Sequence, residues 1–411
     1  MARPALANPL QYKGFRNLWL AQSISDFGDG LTGLALLIMV NQLTGSTAAL
    51  ATMAIVLAIP QVTLGLVAGV YVDRLERKKI MLVSDSVRAL LVLGFVLVDS
   101  VEHMWVLYVL AFLQSAAGTF FGPARGAVIA QLLPKEALLA ANSITQTSRI
   151  IAGMLGASAA GVLIGSFKVY WPAFVIDAAT FAFSFLLVLL VQVPRLEGGG
   201  QAQARRVLEL LWEGLRTIGH SRILRGTLTG AGVMMLGLGA VNILFIPLLT
   251  NDLNVPTTLF GLVQAAQTAG MILAGGVVAL LALRLKPTHM VSIGLMGMGL
   301  MVGLIAGVEQ LWHVLVLLFF IGLLGAPVQA GIGTLVQTSV DDHSRGRVGA
   351  ALGAVIGSAN LTSMALAGVL AGWIGVREVF VVAGILAVVA GAAAFWVFRD
   401  RATQTVVGGS K

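Results

Sequence analysis

Residues 69–79 read GVYVDRLERKK and separate two apolar stretches, residues 47–72 and 79–99. Each stretch is at least about 20 residues long, which is the length of helix needed to cross a hydrocarbon layer about 30 Å thick. Charged side chains are concentrated in the short interval between the stretches, as in a hairpin of two membrane-spanning helices. The segment therefore predicts an α-helical membrane protein.

Apolar stretches of similar length recur along the whole chain. They fall at residues 15–42, 47–72, 79–99, 104–132, 137–166, 168–192, 224–250, 256–283, 288–307, 311–337, 344–373 and 376–397. Strands of a membrane barrel need only about 10 residues of alternating polarity, and these longer continuous stretches exclude them. We predict an all-α membrane protein with twelve transmembrane helices.

The composition supports this prediction and narrows the function. Of 411 residues, 58% are hydrophobic and 11% are charged, whereas soluble proteins carry about 25% charged residues. The chain has no cysteine, which excludes disulfides and thiolate sites. It has no phosphate-binding loop, zinc-protease motif or nucleophile elbow. We predict that the protein is not an enzyme and expect neither a cofactor nor a metal site.

The basic residues predict the orientation. If the N-terminus is cytoplasmic, only Lys168 and Arg377 among the loop lysines and arginines lie outside. This bias places both termini in the cytoplasm. The net charge of +8 then reflects membrane orientation, and we expect no nucleic-acid partner.

A polar interval near the midpoint divides the chain. We predict a six-helix bundle at residues 1–193, a cytoplasmic linker at 194–222, and a second six-helix bundle with a short tail at 223–411. The linker opens with the flexible segment LEGGG at 196–200. Val207, Leu210, Leu211, Leu215 and Ile218 then recur at helical spacing. This pattern suits either a helix lying on the inner membrane surface or a solvated linker helix.

The loop at 69–79 also carries a motif. Its elements are Gly69, Asp73, Arg74, Arg77 and Lys78. Further matches are LWL at 18–20 with SDFGD at 25–29, SD at 84–85 with Arg88, FGPAR at 121–125, IDAATF at 176–181 and RGRV at 345–348. Together these stretches resemble the major facilitator superfamily, in the branch of enterobactin-type siderophore exporters and macrolide efflux proteins.

The resemblance implies two six-helix halves that expose a central site alternately to either side. It also implies that Asp73 meets the start of the eleventh spanning helix, near Ser344, and latches the cytoplasmic side shut. Two positions depart from the family pattern: Glu76 replaces a loop glycine, and Ala157 stands where antiporters usually have proline.

Ionisable residues inside the membrane are functional candidates because they are costly there. From their depth along the helices, Asp26, Asp29 and Arg149 lie near the midplane. We assign them proton-coupling or substrate roles, with Asp29 as the proton carrier and Arg149 as a neighbouring cation. Asp177 is predicted to be structural. Asp85, Arg88 and Arg125 are predicted to form an ion-paired cluster that supports the loop.

The second half offers neutral polar candidates for the cavity wall. These are Asn242, Gln264, Gln267, Gln329 and Asn360. Such a wall suits bulky amphipathic molecules. We predict a monomeric proton-coupled efflux pump in the bacterial cytoplasmic membrane, whose partners are a small amphipathic substrate, protons and membrane lipids. The alternative is a lipid or lysophospholipid flippase of the same fold.

Overall fold

The computed structural model describes residues 8–193, 204–340 and 342–407. Throughout these residues the secondary structure is helical, without a strand. The α-helices are α1 (Lys13–Thr44), α2 (Thr47–Arg74), α3 (Arg77–Gly94), α4 (Met104–Leu132), α5 (Lys135–Phe167), α6 (Trp171–Leu189), α7 (Ala204–His220), α8 (Arg222–Pro247), α9 (Phe260–Arg284), α10 (Pro287–Ile305), α11 (Leu311–Ser339), α12 (Asp342–Ile374) and α13 (Val376–Val407).

Twelve helices in the described residues are long and apolar enough to cross a membrane, and α7 is not among them. The predicted all-α fold with twelve spanning helices is thus confirmed. Paired lengths mark the two halves: α4 and α11 have 29 residues each, and α5 and α12 have 33 each. Pro123 in α4 and Pro327 in α11 lie inside their helices.

The turns between spans are short and use residues suited to tight reversal. Gly45 between α1 and α2 has φ 60°, and Gly375 between α12 and α13 has φ 99°. Both angles lie in the left-handed region, which glycine enters without steric cost. Two features differ from the apolar pattern: a π-helical turn at Leu248–Asp252 extends α8, and α13 continues past residue 397 to Val407. The hydropathy of the sequence predicts neither the π-helical turn nor the extension of α13, because both are defined by backbone hydrogen bonds.

The backbone contacts group the chain into two compact units. The first comprises Met1–Thr44, Val56–Ala204 and Pro256–Gly261, and the second comprises Gly45–Ile55, Arg205–Val255 and Leu262–Lys411. Each unit thus includes a short segment from the opposite half of the sequence. In the second unit the beginning of α2 packs on α12, where Thr47 Oγ1 donates a 3.0 Å hydrogen bond to the Gly368 carbonyl. These contact units therefore differ from the halves predicted at 1–193 and 223–411. The difference lies at the first turns of α2 and α9.

Helix α7 lies within the linker predicted at 194–222, whose opening residues 196–200 lie outside the described part of the chain. Ile218 of α7 is buried, and Leu215 packs with it on a cluster that includes Leu224 and Val340. Trp212, one to two turns earlier, is 73% exposed. The C-terminal end of α7 therefore packs on protein, which a fully solvated linker helix would not do. The hypothesis that α7 lies on the inner membrane surface therefore rests on the part of the helix around Trp212.

Candidate functional site

A polar cavity of about 610 Å³ opens within the first unit. Helices α1 to α5 all contribute to its wall, although most of this part of the chain is apolar. Its lining residues are Gln22, Ser25, Asp26, Asp29, Thr32, Gly33, Leu36, Leu57, Gln61, Gly65, Arg88, Gln114, Ser115, Gly118, Thr119, Phe121, Gly122, Pro123, Arg125 and Arg149. The cavity thus brings the three predicted midplane residues, Asp26, Asp29 and Arg149, into one compartment.

Asp29 pairs with Arg88 across the α1–α3 boundary. The Arg88 Nη2 donates to Asp29 Oδ1. The Arg88 side chain is 12% exposed, whereas that of Asp29 is 39% exposed. Beneath the guanidinium lies the Phe181 ring of α6, with its centroid 4.1 Å from Cζ. A cation held this way over an aromatic face is partly withdrawn from water, whereas its carboxylate partner remains open to the cavity.

Asp26 lies one turn earlier on α1, in a more mixed electrostatic setting. It is within electrostatic range of Asp29, Arg125 and Arg149. The Arg125 Nη1 donates a 2.7 Å hydrogen bond to the amide oxygen of the buried Gln22. The site therefore contains two carboxylates and more than one guanidinium within interaction range. Their protonation and ion pairing depend on one another.

Asp177 of α6 is fully buried beside the cavity and is satisfied by hydroxyl groups. Thr32 Oγ1 donates to its Oδ2 at 2.5 Å, and Thr180 Oγ1 donates to its Oδ1 at 3.1 Å. Gly28 makes room for this carboxylate, because a Cβ at position 28 would lie 2.2 Å from Asp177 Oδ1 and 2.2 Å from Thr180 Oγ1. These contacts fix α6 against α1. The structural role predicted for Asp177 stays a prediction that this packing supports.

Asp85, Arg88 and Arg125 were predicted to form one cluster. In the structure each of them contacts a different residue. Arg88 binds Asp29, and Arg125 binds Gln22. Asp85 is fully buried and accepts a 2.7 Å hydrogen bond from Ser184 of α6. Arg88 and Arg125 line the cavity, whereas the sequence predicted that they support the loop. Depth along a helix does not reveal which way a side chain turns.

Close backbone packing fixes α1, which carries both cavity carboxylates, against α5. A Cβ on Gly30 would lie 2.1 Å from the Gly153 carbonyl oxygen, and one on Gly156 would lie 1.9 Å from the Phe27 carbonyl oxygen. Small residues allow such an approach, which maximises packing where the membrane supplies no hydrophobic driving force. The positions of Asp26 and Asp29 are thereby set by backbone contacts.

The motif loop is held to α6 through Lys78. Its Nζ donates to the carbonyl oxygens of Leu189 at 2.7 Å and Val191 at 2.9 Å. Carbonyl groups at a helix C-terminus lack partners within the helix and favour a cation. The side chains of Gly69, Asp73 and Arg74, and of Ser344 opposite in the predicted latch, lie outside the described part of the chain. The latch itself therefore stays a prediction.

The neutral candidates of the second half lie on four helices: α8, α9, α11 and α12. Asn242, Gln264 and Gln329 are exposed, whereas Gln267 and Asn360 are half-buried. The Asn360 amide contacts Met364 Sδ at 3.5 Å. None of the five lines the cavity of the first unit.

Several polar residues of the cavity were not predicted from the sequence. Gln22 and Gln114 are buried, and Thr32 holds Asp177. Gln61 also lines the wall. Uncharged polar residues inside an apolar stretch were the available signal, since burying a polar group is unfavourable unless it finds a partner.

Fold and site together define a class of protein. The described residues include twelve helices long and apolar enough to span a membrane, and the first unit encloses a charged cavity of about 610 Å³. This is the architecture of a secondary transporter.

Comparison with known proteins identifies the family. The sequence profile of the family described as transmembrane secretion effectors matches residues 5–407. The chain is 31% identical to the MFS-type transporter YfiS of Bacillus subtilis over 411 residues, covering 95% of this chain and 94% of YfiS. The chain belongs to this family, within the major facilitator superfamily.

Two further relatives are named as efflux proteins. The multidrug efflux pump Tap of Mycolicibacterium fortuitum is 28% identical, covering 91% of this chain and 93% of Tap. The macrolide efflux protein A of Streptococcus pyogenes is 24% identical, covering 90% and 93%. A bacterial homologue of the iron transporter ferroportin shares the fold, with a TM-score of 0.75, 13% identity and coverage of 94% and 98%. The protein is thus an efflux-type transporter of the bacterial cytoplasmic membrane and not an enzyme.

Proposed function

We propose that the protein exports bulky amphipathic or hydrophobic small molecules by alternating access, driven by protons that bind at Asp29. The observation that carries this proposal is the ion pair between Asp29 and Arg88 on the wall of a membrane-embedded cavity. Both termini are proposed to lie in the cytoplasm, as the basic loops predict.

The ion pair can link protonation to conformation. A proton on Asp29 removes the negative charge that holds Arg88, so the pair exists only in the deprotonated state. Water and substrate can reach Asp29 because its side chain is 39% exposed. A cationic or hydrogen-bonding group on a substrate would compete with the proton and with Arg88 for the same carboxylate. Such competition is the basis of exchange between proton and substrate.

The size and lining of the cavity support a drug-like substrate. A volume of about 610 Å³ falls within the range of pockets that hold small organic molecules. Gln22, Gln61 and Gln114 offer neutral hydrogen-bonding groups, and Leu36, Leu57 and Phe121 offer apolar surface. The multidrug and macrolide pumps to which the chain is similar are consistent with this class. Neither a cofactor nor a second subunit enters the proposal.

A lipid or lysophospholipid flippase is the second candidate, and one observation favours it. An apolar groove of about 530 Å³ lies between α3 and α4, lined in part by Val83, Val87 and Phe120. Behind it, Ser84 Oγ donates a 2.8 Å hydrogen bond to the Ala117 carbonyl, and the neighbouring Gly118 lines the cavity. A lipid chain in the groove would therefore lie one helix contact away from the polar compartment.

The experiment uses purified protein in liposomes with an imposed pH gradient and a clamped membrane potential. Ethidium and Hoechst 33342 report drug movement, and a fluorescent lysophospholipid reports lipid movement. The proposal expects dye accumulation that requires the gradient and that stops when an ionophore collapses it. Lipid movement without dye movement would establish the flippase instead. Dye movement that ignores the pH gradient would refute proton coupling.

A further inference from the structure

Two complementary atoms are buried without partners beside the cavity. Asp85 is fully buried, and its Oδ1 has no hydrogen-bond partner, while Ser184 donates to its Oδ2. The Nε of Arg88 is also buried without a partner, while its Nη2 donates to Asp29. A buried acceptor and a buried donor left unsatisfied each cost about 1–3 kcal/mol. Such atoms in a native site call for an explanation, and a second arrangement that pairs them with each other is one.

The two residues are placed to meet. Asp85 and Arg88 are three residues apart on α3, so they share one face of the helix. Each lies within electrostatic range of the other. Opposite them, Gly118 of α4 leaves room along the guanidinium, because even a Cβ there would stand 3.5 Å from Arg88 Nε. The Phe181 ring supports the guanidinium from α6 without fixing its direction within the ring plane.

We propose that Arg88 alternates between two carboxylates, Asp29 on α1 and Asp85 on its own helix, so that Asp85 is a positioning residue for the proton-coupled step. This inference rests on the proposed function and adds a named partner to it. With Asp29 deprotonated, Arg88 is paired across the cavity wall. When one proton binds Asp29, the guanidinium turns to Asp85 Oδ1, and release of that proton reverses the exchange.

The exchange keeps Arg88 paired with a carboxylate in both states. In this scheme Asp29 takes up and releases the proton, and Asp85 receives the guanidinium as a carboxylate. Asp26 on α1 and Asp177 on α6 also lie within electrostatic range of Arg88, and Arg125 on α4 and Arg149 on α5 lie within range of Asp26. Of these, Asp177 already accepts a hydrogen bond from Thr32. Without Asp85, a proton on Asp29 would leave a buried guanidinium unpaired, which is strongly unfavourable.

The test is Asp85→Asn, which keeps the shape of the side chain and its contact with Ser184. Arg88 then has only Asp29 as an anionic partner, so protonation of Asp29 is opposed. Ethidium flux driven by a pH gradient should fall about tenfold at pH 7. It should recover when the pH on the proton-supplying side is lowered by about one unit. Exchange of ethidium without a gradient should change less than about twofold. Asp85→Glu restores the carboxylate and should restore most of the driven flux.

A second measurement needs no substrate. We expect infrared difference spectra of the purified protein between a basic and an acidic medium to contain a protonated-carboxyl band that is lost in Asp29→Asn. In Asp85→Asn the band should require a more acidic medium than in the wild type. Ser184→Ala, which leaves Asp85 more dependent on Arg88, should shift it in the opposite direction. Unchanged bands in both variants would overturn the inference. Shifted bands without any flux would refute the proposed function alone.

Discussion

The interiors of the two units satisfy their polar groups in different ways. In the first, besides hydroxyl-to-carbonyl bonds such as that of Ser84, side chains of different helices bind each other: Asp29 binds Arg88, and Asp177 binds Thr32. In the second, the hydroxyl of Thr227 donates to the Ile223 carbonyl of its own helix, and that of Ser363 donates to the Leu236 carbonyl.

The two units also differ in where their ion pairs lie. An ion pair of the second unit, Arg377 with Asp252 at 3.2 Å, lies between helix ends, and Arg377 also donates to the carbonyls of Ala306 and Val308. The first unit also has exposed pairs near helix ends, such as Lys79 with Glu76, but its pair of Arg88 with Asp29 lies inside the bundle, on the cavity wall. An internal ion pair can be made and broken by a proton, whereas hydroxyl-to-backbone bonds cannot. We infer that coupling is housed in the first unit and that the second shapes the substrate site.

The strongest test of this division removes one carboxylate from each unit. Asp29→Asn should reduce gradient-driven flux to background while sparing exchange without a gradient, because asparagine resembles the protonated side chain. The matched variant Asp252→Asn should keep driven flux within about twofold, since the pair it disrupts is partly exposed. Flux assays in liposomes compare the two. Driven flux that persists in Asp29→Asn would move the carrier to Asp26 or Asp177, and an equal loss in Asp26→Asn would indicate a coupled pair.

The motif loop offers a second comparison between the halves. Asp73→Asn should leave the protein folded and slow transport about tenfold, because a carboxylate at a helix N-terminus contributes up to about 2 kcal/mol. The loop of the second half, residues 284–287, has no Asp-Arg pair, so Lys286→Gln should have little effect. Single cysteines can report which side is open, because the chain contains none of its own. Equal rates and equal labelling in Asp73→Asn would refute the latch.

Stability should differ between the two kinds of hydroxyl bond. Thr32→Val leaves a buried oxygen of Asp177 without a donor and should cost about 1–2 kcal/mol, or about 1–2 °C in apparent melting temperature for a chain of this length. Thr227→Val removes a bond within one helix and should cost about 0.5 kcal/mol or less. Thermal unfolding of both variants in the same detergent measures the difference. Equal shifts would mean that the cross-helix bonds of the first unit add nothing.

The smallest effect is expected for the neutral wall of the second unit. Gln329→Leu should alter the relative flux of ethidium and Hoechst 33342 by about two- to fivefold, because one hydrogen bond to substrate is worth about 1 kcal/mol. Its dependence on the pH gradient should be unchanged. A variant that transports both dyes at wild-type ratios but loses the gradient requirement would reverse the proposed division of labour.

Sequence predicted the fold well because the decisive signal is local. Whether a stretch of 20 residues can cross a membrane depends on that stretch alone. Helix depth also placed Asp26, Asp29 and Arg149 at one level, and they do share a cavity.

Partners were harder to predict because they depend on rotation and on neighbours. The sequence offered Arg149 as the cation beside Asp29, but the ion pair is made by Arg88 from α3. The spacing of Asp85 and Arg88 suggested a pair within α3, yet Arg88 reaches across to α1. The contact of Lys78 with the end of α6 joins segments 111 residues apart, and a single sequence carries no mark of it.

The space left by the missing side chain of Gly28 has a consequence for how this chain can evolve. Asp177 Oδ1 and Thr180 Oγ1 occupy the volume that any larger residue at position 28 would need. A lineage that acquired alanine at 28 would be driven to replace the aspartate at 177 with a shorter residue, and would then lose the acceptor of the Thr32 hydroxyl. Positions 28, 32 and 177 should therefore be inherited as a set, and homologues should change all three or none.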